Sequence, residues 1–511
     1  MATKKSTGTY RSEARRKRRR RAIINRIIFG VVMAGVAVGL FFGVRAAYRG
    51  IRDLIRSVTD ETDAPTQYAY ASTEAPTEEE TEAPTIPYVD FTAELKEARR
   101  LAASYDYEKA IALLETVPNY QVIPEIMQEI ISIEDTMTKL VELHYSDVYH
   151  IFFHSLIVDT EVAFTMSGSY YRDAFNNTMT TVREFNEIMK EMYESGWVLV
   201  KLHDLAGFDE NGEFVERPIM LPPGKKAFVL SIDDVSYYEY MIDCGGRNMN
   251  AFARKIVIDE EGFPRCEFVQ RDGTVSVGDY DVVPLIETFI AQHPDFSYRG
   301  ARGCVALTGY NGILGYRTDA MYEWSDDPEW QRVYAEDWRL YGDIYKNIDR
   351  DEERRQAAAV AARMEELGWE FASHTWGHIN VGEKDLNRIM WDNAKWQEEV
   401  DTLLGGDTDI IIFAFGSDLA DWHPYTDENE KFAYLKSEGF HYFCNVSTYE
   451  LPRTWVQYSK TYQFIRQARA NLDGYAMWKE KTNDPDGRLD IFFDVDRVFD
   501  PARPTPVIFV T

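Results

Sequence analysis

From residue 148 onward, short apolar runs of strand length alternate with longer runs of helical periodicity, and this alternation restricts the fold more than any other feature. Strands are predicted at 148–157, 197–202, 227–232, 303–308, 369–372, 410–415 and 442–446, and helices at 181–195, 357–367, 385–404 and 429–438 separate several of them. Parallel strands need long crossover connections, so the pattern implies an α/β fold with a parallel sheet or a (β/α) barrel. In such a barrel the reactive groups sit at the C-terminal ends of the strands.

The first 90 residues are of another kind. The first 57 hold 15 Lys and Arg against only Glu13 and Asp53, while the whole chain carries a net charge of −29. The part that folds is therefore strongly acidic, which argues against a nucleic-acid partner. Residues 1–26 read as a basic cytoplasmic tail, and 27–44 contain no charge over 18 residues, enough for one transmembrane helix. A cleaved signal peptide is the alternative; the length of the run and the Arg45-Ala-Ala-Tyr-Arg49 that follows favour an anchor. The positive-inside rule then puts the N-terminus in the cytoplasm and everything after Val44 outside the cell membrane. Residues 45–90 form a linker rich in Thr, Glu and Pro, with Thr-Glu-Ala-Pro-Thr at 73–77 and again at 81–85. Residues 91–142 have the periodicity of a helical hairpin of tetratricopeptide type, a possible docking element for a protein partner.

Two strand ends carry chemistry. Phe228-Val-Leu-Ser-Ile-Asp-Asp234 ends in adjacent acids whose side chains diverge, so one can bind a metal while the other faces substrate; a turn or helix cap is the plain alternative. Trp369-Glu-Phe-Ala-Ser-His-Thr-Trp-Gly-His378 ends in His-x-x-x-His. If the chain turns helical after Ser373, His374 and His378 lie at i, i+4 on one face, and with a carboxylate from another strand they make a facial site that leaves positions open for water and substrate.

These segments resemble the motifs of the polysaccharide deacetylases, carbohydrate esterase family 4. Ser231-Ile-Asp-Asp-Val235 is similar to the family's first motif, and Ser373-His-Thr-Trp-Gly-His378 to its second. The stretch from Met364 to His374 looks like the family's helix–glycine–strand approach, and Gly303 to Asn311 like the strand after the first motif. His150-Ile-Phe-Phe-His-Ser155 and residues 181–205 resemble the opening of the circularly permuted exopolysaccharide-type branch, in which the catalytic histidine moves to the front. The resemblance spans about 148–511 and implies a distorted (β/α) barrel catalytic domain over 146–511. It implies that Asp234, His374 and His378 hold a divalent metal, zinc or another transition metal. It further implies that Asp233 is the base and His154 the acid. The substrate would be an N-acetylglucosamine-containing polymer, peptidoglycan or exopolysaccharide, hydrolysed to acetate and free amine. An oxyanion donor is expected near the Phe415 backbone.

The chain departs from the family at three places. Val235 replaces a glycine. The third motif is reduced to Phe413-Ala-Phe-Gly416, with Ile412 where an arginine would orient the base, and Arg466 could substitute from a later strand. A β-rich insertion is expected at about 242–300, where Cys244 and Cys266 could form a bridge. Two other readings stay open: a catalytically impaired carbohydrate-binding protein of the same fold, and an envelope assembly protein working through its helical hairpin. Trp376, Trp422 and Trp455 are candidates for lining a sugar cleft, with core packing as the alternative for each.

Overall fold

Every second residue of a barrel strand points inward, and this chain keeps that parity strand after strand. The computed structural model describes residues 90–166, 168–242, 250–420, 423–446, 456–482 and 489–509. The expected basic tail, the uncharged run 27–44 and nearly all of the linker lie outside these, as do Cys244, Trp422 and Trp455. Among the described residues, no helix is long and apolar enough to cross a membrane.

Eight strands build the central sheet: β1 (Tyr149–Phe153), β2 (Trp197–Leu199), β3 (Lys226–Ile232), β4 (Cys304–Leu307), β5 (Glu370–Ser373), β6 (Ile410–Ile412), β7 (Tyr442–Val446) and β8 (Phe464–Asn471). Seven close into a parallel barrel in the order β1-β3-β4-β5-β6-β7-β8, with β8 returning to β1. The smaller β2 pairs with the first half of β3 through Leu199 opposite Phe228, and β3 then passes to β4 through Ser231 opposite Cys304. The closing seam is short, with Ala470 opposite Ile151 and Asn471 opposite Phe152. An antiparallel strand, Val456–Ser459, covers the rest of that edge of β8.

Parity sorts the side chains. On β3, Phe228, Leu230 and Ile232 pack outward with the helices, and Ala227 and Val229 join the inner cluster with Cys304, Ala306, Ala372, Ile412 and Cys444. Above that apolar layer the interior turns polar. His150 Nε2 lies 2.9 Å from Ser231 Oγ, and His150 Nδ1 lies 3.2 Å from Gln467 Oε1. Burial pushes the His150 pKa well below its usual value, with the nearby Arg469 charge acting in the same sense.

The outer helices follow from their ends. Val182–Glu194 starts at a capping box in which Thr181 and Glu184 exchange hydrogen bonds with each other's backbone, and it buries Phe185, Ile188, Met189 and Met192. Arg350–Leu367 stops at Gly368, whose φ of 109° suits glycine and turns the chain directly into β5. A helix absent from the sequence reading, Pro328–Tyr345, begins with proline after the cap Asp327. Glu184 also meets Arg503 at 2.7 Å, with both side chains fully buried. Breaking such a pair from one side costs about 3–5 kcal/mol, so this contact ties the C-terminal segment to the barrel wall.

Two expectations need revision. The segment 242–300 is β-rich only in its first part. An antiparallel meander of Lys255–Ile258, Pro264–Val269 and Val275–Gly278 is followed by the helix Val282–Gln292. The turn signals at 259–273 belong to the meander, and the apolar run after Asp281 forms the crossover helix that leads back to β4. The hairpin at 91–142 is three helices, Thr92–Ala103, Tyr107–Glu115 and Pro124–Met137, and belongs to the same compact unit as the barrel. Its turn docks beneath the strands: Tyr105 donates to the Asp295 carbonyl at 2.8 Å and stacks on Tyr298, and Arg299 N–H donates to the Ser104 carbonyl at 2.7 Å. Cys266, Cys304 and Cys444 are buried free thiols.

The floor of the barrel holds a charged cluster. His203 Nδ1 lies 2.5 Å from Glu370 Oε1, and its Nε2 lies 2.9 Å from Asp409 Oδ1. Burial opposes the imidazolium, but the two carboxylates outweigh it and raise the pKa from 6.5 to about 10. A raised folded-state pKa stabilises fully below the unfolded value and is lost as pH rises through the folded one. Wild-type melting temperature should therefore fall between about pH 6.5 and 10, and His203→Gln should flatten that decline; calorimetric scans across the range measure it.

Candidate metal centre

β3 and β5 both reach the open end of the barrel, and each is followed at once by a tight turn. After β3 the chain enters Asp233 and then Asp234, whose φ is 61°. After β5 it enters His374, Thr375 (φ 63°) and His378 (φ 49°). Non-glycine residues in the left-handed region each cost about 1–3 kcal/mol and persist only where the surroundings dictate them. Here Asp392, from the helix Leu386–Glu399, receives the Trp376 N–H at 2.6 Å and the Gly377 N–H at 3.2 Å, and Thr375 Oγ1 receives the Ile379 N–H at 2.8 Å. Gly309 lets the loop after β4 approach the same turn: a Cβ there would lie 2.0 Å from Trp376 Cδ1.

These turns bring Asp234, His374 and His378 together, with one ligand atom from each within 4.8 Å of the others. His374 Nε2 lies 3.9 Å from Asp234 Oδ1, and His378 Nε2 lies 3.7 Å from Asp234 Oδ2. His374 Nδ1 sits 2.7 Å from the Ile412 carbonyl, which fixes that nitrogen as the donor and turns the Nε2 lone pair toward the cluster. Burial lowers the His374 pKa despite the carboxylates beside it, the direction that favours the neutral ring a metal ligand needs. Tyr238 Oη donates to Asp234 Oδ1 at 2.7 Å and lies 2.8 Å from Thr308 Oγ1, so the carboxylate is held from behind. Two imidazoles and one carboxylate, oriented this way, fit a divalent metal of the zinc class with open coordination positions.

Asp233 lies beside this triad, with Oδ2 3.9 Å from His374 Nε2. Arg469 grips it with both prongs, at 2.7 Å to Oδ1 and 2.9 Å to Oδ2, and also donates to Ser231 Oγ at 3.0 Å. Burial alone would raise the Asp233 pKa; the Arg469 guanidinium and then His374 outweigh it and hold the carboxylate well below its usual range. Asp234 is lowered likewise, with burial opposed by His378, His374 and His154.

His154 follows β1, one strand from Asp233, and lies close enough to interact electrostatically with Asp233, Asp234 and Asp473. Its Nδ1 is buried without a hydrogen-bond partner among the described residues. Phe415, in the loop after β6, has φ 59° and places its ring 4.5 Å from that of His378. Arg466 does not reach Asp233. It binds Asp418, donates to the His423 carbonyl at 2.8 Å and lies over the Tyr425 ring, anchoring the Phe415 loop from outside. Residues 466 and 469 differ by an odd number along β8 and so face opposite sides of the strand. Arg469, Tyr238 and Asp392 were missed from sequence. Only Arg469 left a signal there, in the alternation of Ile465, Gln467 and Arg469. Trp376 is buried against Trp391, and Lys395 lies over its ring.

No family model matches the chain, and no curated protein does. Among solved structures it is similar to a Streptococcus pyogenes deacetylase, PplD, determined in complex with acetate. The identity is 12% and the TM-score 0.32, over 65% of this chain and 93% of that one.

Proposed function

We propose that the protein is a metal-dependent hydrolase that removes N-acetyl groups from an N-acetylglucosamine-containing cell-surface polysaccharide, peptidoglycan or an exopolysaccharide. The observation that carries this reading is a three-ligand cluster beside a separate buried carboxylate kept ionised by its own arginine. A divalent metal, zinc on the evidence of the ligand set, would supply Lewis acidity for the carbonyl and lower the pKa of water. Asp233 takes the proton of the attacking water. Arg469 occupies one lone pair on each of its oxygens and leaves others free, and it fixes the direction of approach. The backbone N–H at Phe415, presented by its left-handed turn, serves the developing oxyanion. His154 protonates the departing amine, which leaves poorly as an anion.

The reading of a catalytically impaired glycan-binding relative rested on Ile412 standing where an arginine belongs. Arg469 provides that guanidinium from β8 instead. A permuted chain order is supported by the place of β1, which carries His154 and lies between β8 and β3. The uncharged run 27–44 and the basic residues before it support a single-pass anchor with the barrel outside the cell, where such polymers are found.

Asp233→Asn should abolish acetate release from N-acetylglucosamine oligomers while stoichiometric zinc remains bound; loss of the metal in that variant would instead make Asp233 a ligand. Dialysis against a chelator should stop acetate release and zinc should restore it. Arg469→Lys keeps the charge but loses the two-pronged grip, so kcat should fall by about tenfold to a hundredfold. With Asp233 less well held as the anion, its pKa rises, and the acidic limb of the pH–rate profile should move to higher pH. His154→Ala should lose amide hydrolysis yet keep turnover of an aryl acetate ester, whose leaving group needs no proton.

A further inference from the structure

Of the tryptophans considered for a sugar cleft, Trp376 is buried, whereas beside the metal centre a group of tyrosines reaches the surface. Tyr238, hydrogen-bonded to the ligand Asp234, stacks on Tyr240 with centroids 5.6 Å apart and planes 16° from parallel. Tyr240 stacks on Tyr171 at 6.2 Å and 18°, and Tyr171 meets Tyr170 edge-on at 5.5 Å. Tyr310, on the loop after β4, meets Tyr238 at 6.0 Å from the other side. The five rings come from three separate parts of the chain: the helix Ser169–Thr178, the turn after β3 and the loop after β4.

Packing alone does not account for this group. Tyr238 is buried and Tyr171 half-buried, and both pack on a core cluster, but Tyr240 is 42% exposed, Tyr310 43% and Tyr170 72%. Three exposed aromatic side chains backed by two packed ones beside a reactive centre mark a binding surface more than a core. Tyrosine offers an apolar face together with a hydroxyl, a combination that suits the C–H face and the hydroxyl rim of a pyranose. The row also carries no formal charge, which suits a neutral sugar better than an ionic ligand.

We infer that the row from Tyr238 through Tyr240 and Tyr171 to Tyr170, with Tyr310 beside it, is an extended subsite. It holds the sugar units next to the one being deacetylated and makes the substrate a polymer rather than a free amino sugar. The inference rests on the reading of the barrel mouth as a glycan site and adds its length requirement. Asp234 and Tyr238 couple the two: the ring that begins the row is also the one that holds a metal ligand in place.

Binding and turnover test it separately. Zinc-loaded full-length protein is titrated with monomeric and pentameric N-acetylglucosamine in a calorimeter, and acetate release is followed in parallel. The pentamer should bind at least about tenfold more tightly than the monomer. Tyr240→Ala and Tyr170→Ala should each weaken pentamer binding by several-fold to about tenfold and leave monomer binding unchanged, while Tyr240→Phe, which keeps the ring and loses only the hydroxyl, should weaken it by less than Tyr240→Ala does. Tyr170 is exposed enough that its variant will fold even if Tyr240→Ala does not. Equal affinity for the two lengths, no binding of either, or variants that weaken both alike would overturn the subsite. Length-dependent binding that the variants abolish, without any acetate release, would leave the subsite standing and remove the hydrolase reading alone.

Discussion

The two-pronged contact between Arg469 and Asp233 governs the upper half of this barrel. A carboxylate fully enclosed near two imidazoles would otherwise take up a proton, because burial penalises its charge. The guanidinium reverses that, and Ser231 and His150 continue the network downward into the interior. The contact joins β8 to β3 across β1, so it also spans the seam where the barrel closes. With only two residue pairs linking β8 to β1, side-chain contacts inside the barrel carry much of the closure.

The division between the two ends of the barrel is physical. The floor holds His203 between Glu370 and Asp409, and at the same end the turn of the 91–142 helices packs on Tyr298. Charge there is neutralised on the spot. At the open end Asp234 faces two histidines, and Tyr238, Ile412 and Asp392 hold the backbone and rings in place. A cluster of donors held this firmly is the arrangement a bound cation completes.

Much of this was legible in the sequence because the barrel strands are short, apolar and followed by chemistry-bearing residues. Asp233, Asp234, His374 and His378 could be singled out because each stands directly after an apolar run, and the structure brings all four together. β8 does not read as an apolar strand because its inner face carries Gln467 and Arg469. Arg466, the substitute arginine offered by the sequence, sits on the outer face, and Arg469 on the inner face binds Asp233 instead. Tyr238 and Asp392 act through contacts over loops and helices that no local pattern encodes. The segment 242–300 was read by its turns, which describe the meander but not the helix after it.

The order of synthesis has a consequence for this architecture. A chain that has emerged only as far as β7 already contains every candidate metal ligand, yet Asp233 still lacks its countercharge and β1 lacks a neighbour on its open edge. Nascent or proteolytically shortened forms ending before residue 469 keep the three candidate ligands and lack the arginine that holds Asp233 ionised. The mouth of the barrel is completed only in a late step, when the last strand docks and Arg503 locks against Glu184 behind it.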